Sequence, residues 1–316
     1  MTRTKKKGAG KQGITYAFLI GLITIFSTPL RSQTSPLQVV ATTTDLAYFA
    51  REVGGEDVQV AALLSGTTDP HYARARPDYI VRMNQADLFV VVGLELEIGW
   101  VPPLLLNARN PNILPGRPGY LDASTGVEIL GRATHPVDRS MGDVHAKGNP
   151  HYWTDPLNAV IIARNLRDRL SRLRPEAADR FDDRYRRFFE RVRNLTIEQS
   201  EAFAPYRGLR IAEYHNDLEY LARRFQFQVV APIEERPGVA PSARYLETVS
   251  EQLRASQVRI VCVTPVQPQR QAESVAREIG GRVVVMPTSI GSEPGIDTYE
   301  DTIRTMLERL RGAARP

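Results

Sequence analysis

The sequence predicts an α/β protein with two lobes, each a parallel sheet flanked by helices, joined by one long backbone helix. Short, continuous apolar runs alternate with longer helical patterns, as is typical of parallel strands that are covered on both faces. A single long amphipathic stripe interrupts this alternation, which then resumes after Pro205. The pattern predicts an N-terminal lobe at 37–174, a linking helix at 175–204 and a C-terminal lobe at 205–316.

In the N-terminal lobe, β-rich runs alternate with helical patterns. We predict strands at Gln38–Thr42, Val58–Leu64 and Leu88–Val92. We predict helices at Asp45–Val53, which Gly54-Gly55 ends, and at Pro77–Gln85, which has proline in its first turn. Residues 107–150 are rich in Pro, Gly and Asn, and we expect them to be the longest irregular stretch.

The linking region contains two helical patterns in succession. One runs from Pro156 to Leu173, and the next begins at Pro175. The second keeps one apolar stripe, formed by Phe181, Tyr185, Phe188, Phe189, Val192 and Leu195. Arginines flank this stripe, and we interpret them as a solvated face rather than a nucleic-acid surface.

The C-terminal lobe repeats the alternation of strands and helices. We predict strands near Leu209–Glu213, Gln228–Ile233, Arg259–Thr264 and Arg282–Met286, with a last helix at Tyr299–Leu310.

The net charge of +5 is carried entirely by the first 33 residues. These residues hold six of the 41 basic side chains and no acid, which leaves 35 basic against 36 acidic residues, a net charge of −1. The near-neutral remainder gives no reason to expect a nucleic-acid partner. Hydrophobic residues make up 42% and charged residues 24% of the chain, a balance that excludes disordered, collagenous and coiled-coil classes.

Residues 1–33 have the pattern of a signal peptide. A basic start precedes the apolar run Ile14–Phe26, which is too short to span a bilayer. The alternative is an uncleaved N-terminal anchor. The only cysteine is Cys262, so we expect no disulfide and no lipid anchor on a cysteine after the leader. The sequence therefore predicts an exported, periplasmic protein that is not a lipoprotein.

Three of the five histidines occupy positions that suggest a metal site. His71 and His215 follow predicted strands, one in each lobe, and ligand-binding residues collect beyond the carboxyl ends of parallel strands. His151 lies in a loop that is rich in proline and aromatic residues, just before a helix. Imidazole nitrogens suit zinc and other divalent transition metals. We therefore predict a metal site between the lobes.

An ordered set of motifs extends this interpretation. The set comprises Asp69-Pro70-His71, Gln85-Ala86-Asp87-Leu88, Val92-Gly93-Leu94-Glu95-Leu96-Glu97, Gly148-Asn149-Pro150-His151-Tyr152-Trp153-Thr154-Asp155-Pro156, Tyr214-His215, Pro232 to Pro241, and Tyr299. From about residue 37 to 311 the chain resembles the metal-binding receptors of ABC importers, the cluster A-I or ZnuA/TroA group. The resemblance implies two lobes on a long backbone helix, with the metal bound between them.

Carried over by motif, the implied ligands are His71, His151 and His215. The family often has an Asp after the last strand, where this chain has Thr288. We choose Asp297 as the fourth ligand, although an acid there also suits the N-terminus of the following helix.

Other groups remain open for the fourth position: Glu234, Glu235, His145 or a water. Relatives that take up zinc often carry a His/Asp-rich loop before the second ligand. Here that stretch contains only His135, Asp138, Asp143 and His145, and we interpret it as a solvated loop.

Three imidazoles with one carboxylate or water form a natural tetrahedral zinc set, so we favour zinc (Zn²⁺) and place manganese (Mn²⁺) second. The resemblance implies a monomeric receptor, not an enzyme, that delivers the ion to a membrane permease with a cytoplasmic ATPase. The sequence has no GxxxxGK[ST] pattern, so the ATPase must lie in a partner chain. The alternatives are a secreted zinc hydrolase with Glu213 or Glu234 as general base, a metal-dependent adhesin, and a periplasmic metal chaperone.

Overall fold

The computed structural model describes residues 1–5, 8, 35–133 and 144–315, and the chain divides into two units, 1–34 and 35–316. Most of the predicted signal peptide lies outside the described residues, as do His135, Asp138 and Asp143. Within the described part, no helix is both long enough and apolar enough to cross a membrane.

The first sheet contains four parallel strands in the order β2-β1-β3-β4. Its strands are β1 (Leu37–Ala41), β2 (Val58–Ala62), β3 (Leu88–Val91) and β4 (Tyr120–Asp122). The helices between them are α1 (Thr44–Gly54), α2 (Pro77–Asn84) and α3 (Val101–Ala108). All four residues of β3 are buried, as its continuous apolar sequence predicts.

The stretch predicted to be irregular, 107–150, contains an element that the sequence pattern does not show. β4 lies within it and pairs in parallel with β3, with Leu121 opposite Val90. The strand is only three residues long, and Leu121 is its one buried residue. So short a strand gives no periodicity to recognise, and the prediction for 107–150 was wrong at this point.

The second sheet repeats the arrangement, with four parallel strands in the order β6-β5-β7-β8. Its strands are β5 (Arg210–Glu213), β6 (Gln228–Pro232), β7 (Ile260–Val263) and β8 (Arg282–Val285). Helices α4 (Pro156–Leu173) and α5 (Ala178–Phe203) precede this sheet, and α6 (Glu219–Phe225), α7 (Ala243–Ala255), α8 (Gln269–Glu278) and α9 (Tyr299–Ala314) belong to its lobe.

In each sheet the strand order reverses at one point. This point lies between β1 and β3 in the first sheet and between β5 and β7 in the second. From β1 the chain goes to β2 on one side and then crosses to β3 on the other, and β5 to β7 follow the same path. In open parallel sheets, ligands bind beyond the carboxyl ends of the strands at such a point. The two-lobe α/β prediction is confirmed. The exact boundaries of the lobes stay a prediction.

Helix α5 buries its apolar stripe against both lobes. Phe188 packs edge to face on Phe49 of α1, with ring centroids 5.7 Å apart. Near the other end, Phe203 packs on Phe225 of α6 with centroids 6.3 Å apart. These residues belong to one continuous hydrophobic core, so α5 connects the lobes through packing as well as through the chain.

The arginines of α5 do not form the purely solvated face that the sequence suggests. Arg186 is 72% exposed, but the Arg184 side chain is only 15% exposed and pairs with Asp57. Arg191 pairs with Glu52 of α1 and Glu300 of α9. The prediction was wrong for Arg184, which Asp57 of the packed turn reaches, whereas Arg191 keeps 46% of its side chain exposed.

The ion pairs of Asp57 stabilise the contact between α5 and the first lobe. Asp57 ends the short 3₁₀ turn Gly55–Asp57 and accepts hydrogen bonds from Arg180 Nε at 2.9 Å and Arg184 Nη1 at 2.8 Å. The hydrogen bonds from Arg180, and then from Arg184, outweigh the effect of burial and lower the pKa of Asp57 from 3.8 to about 2. Because the folded-state pKa is lowered, this stabilisation is present above pH 4 and is lost as the pH falls through 2.

We expect the Asp57→Asn variant to lose about 2 kcal/mol of unfolding free energy at pH 7, since one pKa unit corresponds to about 1.4 kcal/mol. Urea unfolding of the full chain at pH 7 measures this loss. Glu56→Gln is the matched control: its side chain is 84% exposed and reaches Arg184 only at 3.8 Å. We expect the control to change stability by less than about 0.5 kcal/mol. Equal stability of the two variants would contradict this role for Asp57.

Candidate metal site

His71 is held by a local motif in the loop between β2 and α2. Asp69 Oδ1 accepts hydrogen bonds from the backbone N–H of His71 at 2.9 Å and from its Nδ1 at 2.8 Å. The indole Nε1 of Trp100 donates to the carbonyl of Pro70 at 2.9 Å, which fixes the loop from the other side. The Asp-Pro-His sequence therefore sets the orientation of the imidazole ring locally.

His151 is held by the same device, just before α4. Asn149 Oδ1 accepts from the backbone N–H and from Nδ1 of His151, both at 2.9 Å. The Asn149 side chain also donates to Glu219 Oε2 of α6 at 2.9 Å, so the loop is anchored to the second lobe. The two Asx-Pro-His motifs thus place two rings by identical local geometry.

His215 reaches the site from the second sheet, two residues beyond the end of β5. Its Nδ1 lies 2.8 Å from Glu234 Oε2. Glu234 follows β6, and its backbone N–H donates to the carbonyl of Tyr214 at 3.0 Å. Neighbouring strands of one sheet therefore supply the ring and the carboxylate that orients it.

The three histidines converge between the lobes. Each offers a ligand atom, and these atoms all lie within 4.8 Å of one another. The ring centroid of His71 is 5.2 Å from that of His151 and 5.1 Å from that of His215. All three line a cavity of about 360 Å³, to which both lobes contribute.

The hydrogen bonds leave the same nitrogen of each ring available. Every Nδ1 lies within hydrogen-bond distance of an oxygen, so Nε2 is the nitrogen that each ring can offer to a metal. Nε2 of His71 is buried and has no hydrogen-bond partner. A buried polar atom without a partner is costly, and a metal ion would satisfy it.

The charges around the rings favour a cation. Burial, with the adjacent His71 and His215, lowers the pKa of His151 well below its ordinary value, so this ring is neutral. Burial also acts to lower the pKa of His215, but the Glu234 hydrogen bond and the nearby carboxylates outweigh it and raise the pKa to about 9. In the metal-free protein His215 is therefore an imidazolium at neutral pH, and the positive charge of this ring lies within the site.

The sequence matches a known family over residues 39–313, described as zinc-uptake complex component A, periplasmic (ZnuA). The chain belongs to the ZnuA family. The match covers both sheets, α5 and all three histidines, and it confirms the resemblance to metal-binding receptors of ABC importers.

Two curated relatives from Streptococcus pneumoniae are named for different metals. The zinc-binding lipoprotein AdcA of strain ATCC BAA-255 / R6 is 23% identical over 304 residues, which cover 95% of this chain and 60% of AdcA. The manganese ABC transporter substrate-binding lipoprotein PsaA is 24% identical over 316 residues, which cover 96% of this chain and 98% of PsaA. The chain thus spans about 60% of the length of AdcA and nearly all of PsaA.

A crystal structure of ZnuA has the same fold. It superposes with a TM-score of 0.73 at 20% identity and covers 88% of this chain and 99% of that structure. The two-lobe arrangement around a long helix is therefore the architecture of the ZnuA family.

The structure does not place Asp297 with the histidines. Its side chain is exposed, it does not line the cavity, and it directly precedes Thr298, the residue that caps α9. This position corresponds to the other interpretation of Asp297, an acid at a helix N-terminus. Thr288 does line the cavity, and its carbonyl accepts a hydrogen bond from Trp153 Nε1 at 2.9 Å.

The other groups considered for the fourth position lie in different places. Glu234 orients His215 through Nδ1, and Glu235 is exposed. His145 is buried, with its ring centroid 5.3 Å from that of His71 and its Nε2 without a partner. It is not one of the three histidines whose ligand atoms lie within 4.8 Å of one another, and it borders a neighbouring cavity of about 100 Å³.

Asp217 lines the main cavity and was not among the residues predicted from the sequence. Asp217 is buried, and its Oδ1 lies 3.5 Å from Nε2 of His151. It follows His215 by two residues at the carboxyl end of β5, and ligand-binding residues collect beyond the carboxyl ends of parallel strands. Asp217 could therefore have been predicted from its position, as His215 was.

Proposed function

We propose that this chain is an extracytoplasmic receptor that captures a divalent transition metal between its lobes and delivers it to an ABC permease for import. The observation that supports this most strongly is the convergence of three imidazoles whose ligand atoms lie within 4.8 Å of one another. A metal-ligating histidine characteristically donates its other ring N–H to an oxygen, and all three rings here have such a partner.

Zinc is the ion that this site suits best, with manganese second. Three imidazole nitrogens and one oxygen form a tetrahedral zinc set, whereas manganese prefers more oxygen ligands. The relatives AdcA and PsaA are named for zinc and for manganese, so both ions belong in the test.

The proposed partners are a membrane permease and its cytoplasmic ATPase, and the proposed location is the periplasm. The family description names both zinc uptake and the periplasm. AdcA and PsaA are named lipoproteins, whereas the single cysteine of this chain, Cys262, is buried in β7. We therefore propose that export relies on the leader, without a lipid anchor on a cysteine that follows it, and that the receptor acts as a monomer.

The geometry favours a receptor over a zinc hydrolase. Glu213 does not line the main cavity, and its Oε2 accepts a hydrogen bond from the Leu218 backbone N–H at 2.9 Å. Glu234 holds the Nδ1 of His215. Neither of the carboxylates considered as a general base is therefore directed at an open position on the metal.

Equilibrium titration of the metal-free full chain with zinc and with manganese tests the proposal. We expect one ion per chain and tighter binding of zinc, in keeping with the general order of affinities at nitrogen-rich sites. Absence of saturable binding for both ions would overturn the proposed function. Turnover of ester, peptide or phosphate substrates by the zinc-loaded protein would support the hydrolase instead.

A further inference from the structure

We infer that Asp217 is the fourth ligand of the metal, completing a site of three imidazoles and one carboxylate. This inference rests on the proposed function, because it concerns the ion that the receptor would capture. It replaces Asp297, which the structure leaves exposed and away from the cavity.

The carboxylates of the cavity approach the histidine rings from different sides. Of the described residues that line the main cavity, three are acids: Asp69, Asp217 and Glu234. Asp69 and Glu234 contact Nδ1 atoms, on the sides of the rings that face away from the metal. Asp217 instead approaches Nε2 of His151, the nitrogen that would bind the metal. An ion at that nitrogen would meet the Asp217 carboxylate directly.

The distance between Asp217 and His151 suits two ligands of one ion. Ligand atoms bound to one tetrahedral zinc at about 2.0–2.1 Å lie about 3.4 Å from each other. The Oδ1 atom of Asp217 lies 3.5 Å from Nε2 of His151. This distance is too long for a good hydrogen bond and matches the separation of two ligands on a shared ion. Asp217 and His151 are therefore spaced for a shared ion, while the group of ligand atoms within 4.8 Å of one another comprises the three histidines alone.

One oxygen of the Asp217 carboxylate is held by a hydrogen bond, and the other is left for the site. Gln267 Nε2 donates to Asp217 Oδ2 at 2.6 Å, and Gln267 Oε1 accepts from the Thr264 backbone N–H at 2.9 Å. The linked hydrogen bonds of Thr264, Gln267 and Asp217 thus orient the Asp217 carboxylate, as outer-shell partners do in metal sites. They leave Oδ1 placed for coordination through a single oxygen.

The charge of a bound ion also requires a nearby carboxylate. Asp217 is 7% exposed and His151 is 4% exposed, so a divalent ion here would be largely removed from water. Neutral imidazoles cannot compensate its charge, and a buried charge without a partner is strongly unfavourable. A carboxylate in direct contact with the ion supplies this compensation.

The test compares two carboxylate-to-amide variants of the full chain, Asp217→Asn and Asp297→Asn. We expect Asp217→Asn to weaken zinc binding about a hundredfold, since the loss of even an outer-shell partner costs about ten- to a hundredfold. Asp297→Asn is the matched control and should bind zinc as the wild type does. Competition with a zinc chelator measures both affinities. Equal affinities for Asp217→Asn and the wild type would overturn the inference.

A crystal structure of the zinc-loaded wild-type chain keeps the test independent of how the variants fold. We expect Asp217 Oδ1 within about 2.0–2.2 Å of the ion. His145, Thr288 or water in the fourth position, with Asp217 uncoordinated, would refute the assignment. A wild-type chain that binds neither zinc nor manganese would contradict the proposed function itself, which separates the two failures.

Discussion

The His71→Ala variant is expected to bind zinc at least about a hundredfold more weakly than the wild type. The variant removes one of three converging nitrogen ligands, and disturbing even an outer-shell partner costs about ten- to a hundredfold. The variant also removes the hydrogen bond between Nδ1 of His71 and Asp69, so some loss of stability is expected beside the loss of affinity. Nε2 of His71 has no hydrogen-bond partner within the protein, so in the metal-free state that nitrogen contributes no contact that alanine would remove.

Chelator competition measures the affinity, and thermal unfolding of the metal-free chain reports on folding. His145→Ala is the comparison variant, because that ring packs beside His71 but lies outside the group of three. We expect it to lower zinc affinity by much less than His71→Ala does. A larger loss of zinc affinity in His145→Ala than in His71→Ala would mean that the ion binds beside His145 rather than among the three histidines.

The second large effect is the pH dependence of zinc binding. In the metal-free protein, burial works to lower the pKa of His215, but Glu234 and the nearby carboxylates prevail and raise it to about 9. Only the neutral ring binds a metal, so zinc must displace this proton. Because the raised pKa favours the protonated ring below pH 9, apparent affinity should fall about tenfold per pH unit, or about a thousandfold between pH 9 and pH 6.

Zinc titrations at each pH from 6 to 9, with calorimetry in buffers of different ionisation enthalpy, count the proton released. Glu234→Gln is the informative variant, because it removes the carboxylate that hydrogen-bonds Nδ1 of His215. We expect its pH dependence to begin at lower pH than that of the wild type. An affinity that is constant from pH 6 to pH 9 is incompatible with the displacement of a His215 proton.

Most of the fold could be predicted because its elements are long or continuously apolar. The fully buried strands β3 and β7 appear in the sequence as unbroken apolar runs, and the stripe of α5 follows helical spacing over most of its length. β4 could not be predicted, because three residues give no pattern and its partner β3 determines its conformation. The pairing of Arg184 with Asp57 also escaped prediction, since it joins residues 127 positions apart.

Some residues of the site are positioned by their local sequence, and others by contacts with distant parts of the chain. Asp69 and Asn149, each two positions before its histidine, fix the rings of His71 and His151. The local motifs therefore determine the orientation of these two rings. Asp297 was chosen as the nearest replacement for the Asp that the resemblance implies after the last strand, but the turns at Gly291 and Gly295, both with positive φ, carry the chain to the capped start of α9. Asp217 depends on Gln267, which lies 50 residues further along the chain, and no local motif shows that contact.

The number of zinc ions bound per chain, measured by equilibrium dialysis and elemental analysis at pH 8, tests the proposed metal site most directly. The measurement compares the wild type with a variant in which His71, His151 and His215 are all replaced by alanine. The proposed site predicts one tightly bound zinc in the wild type and none in the triple variant. One tightly bound zinc in both proteins would show that the ion binds elsewhere and would contradict the proposed site.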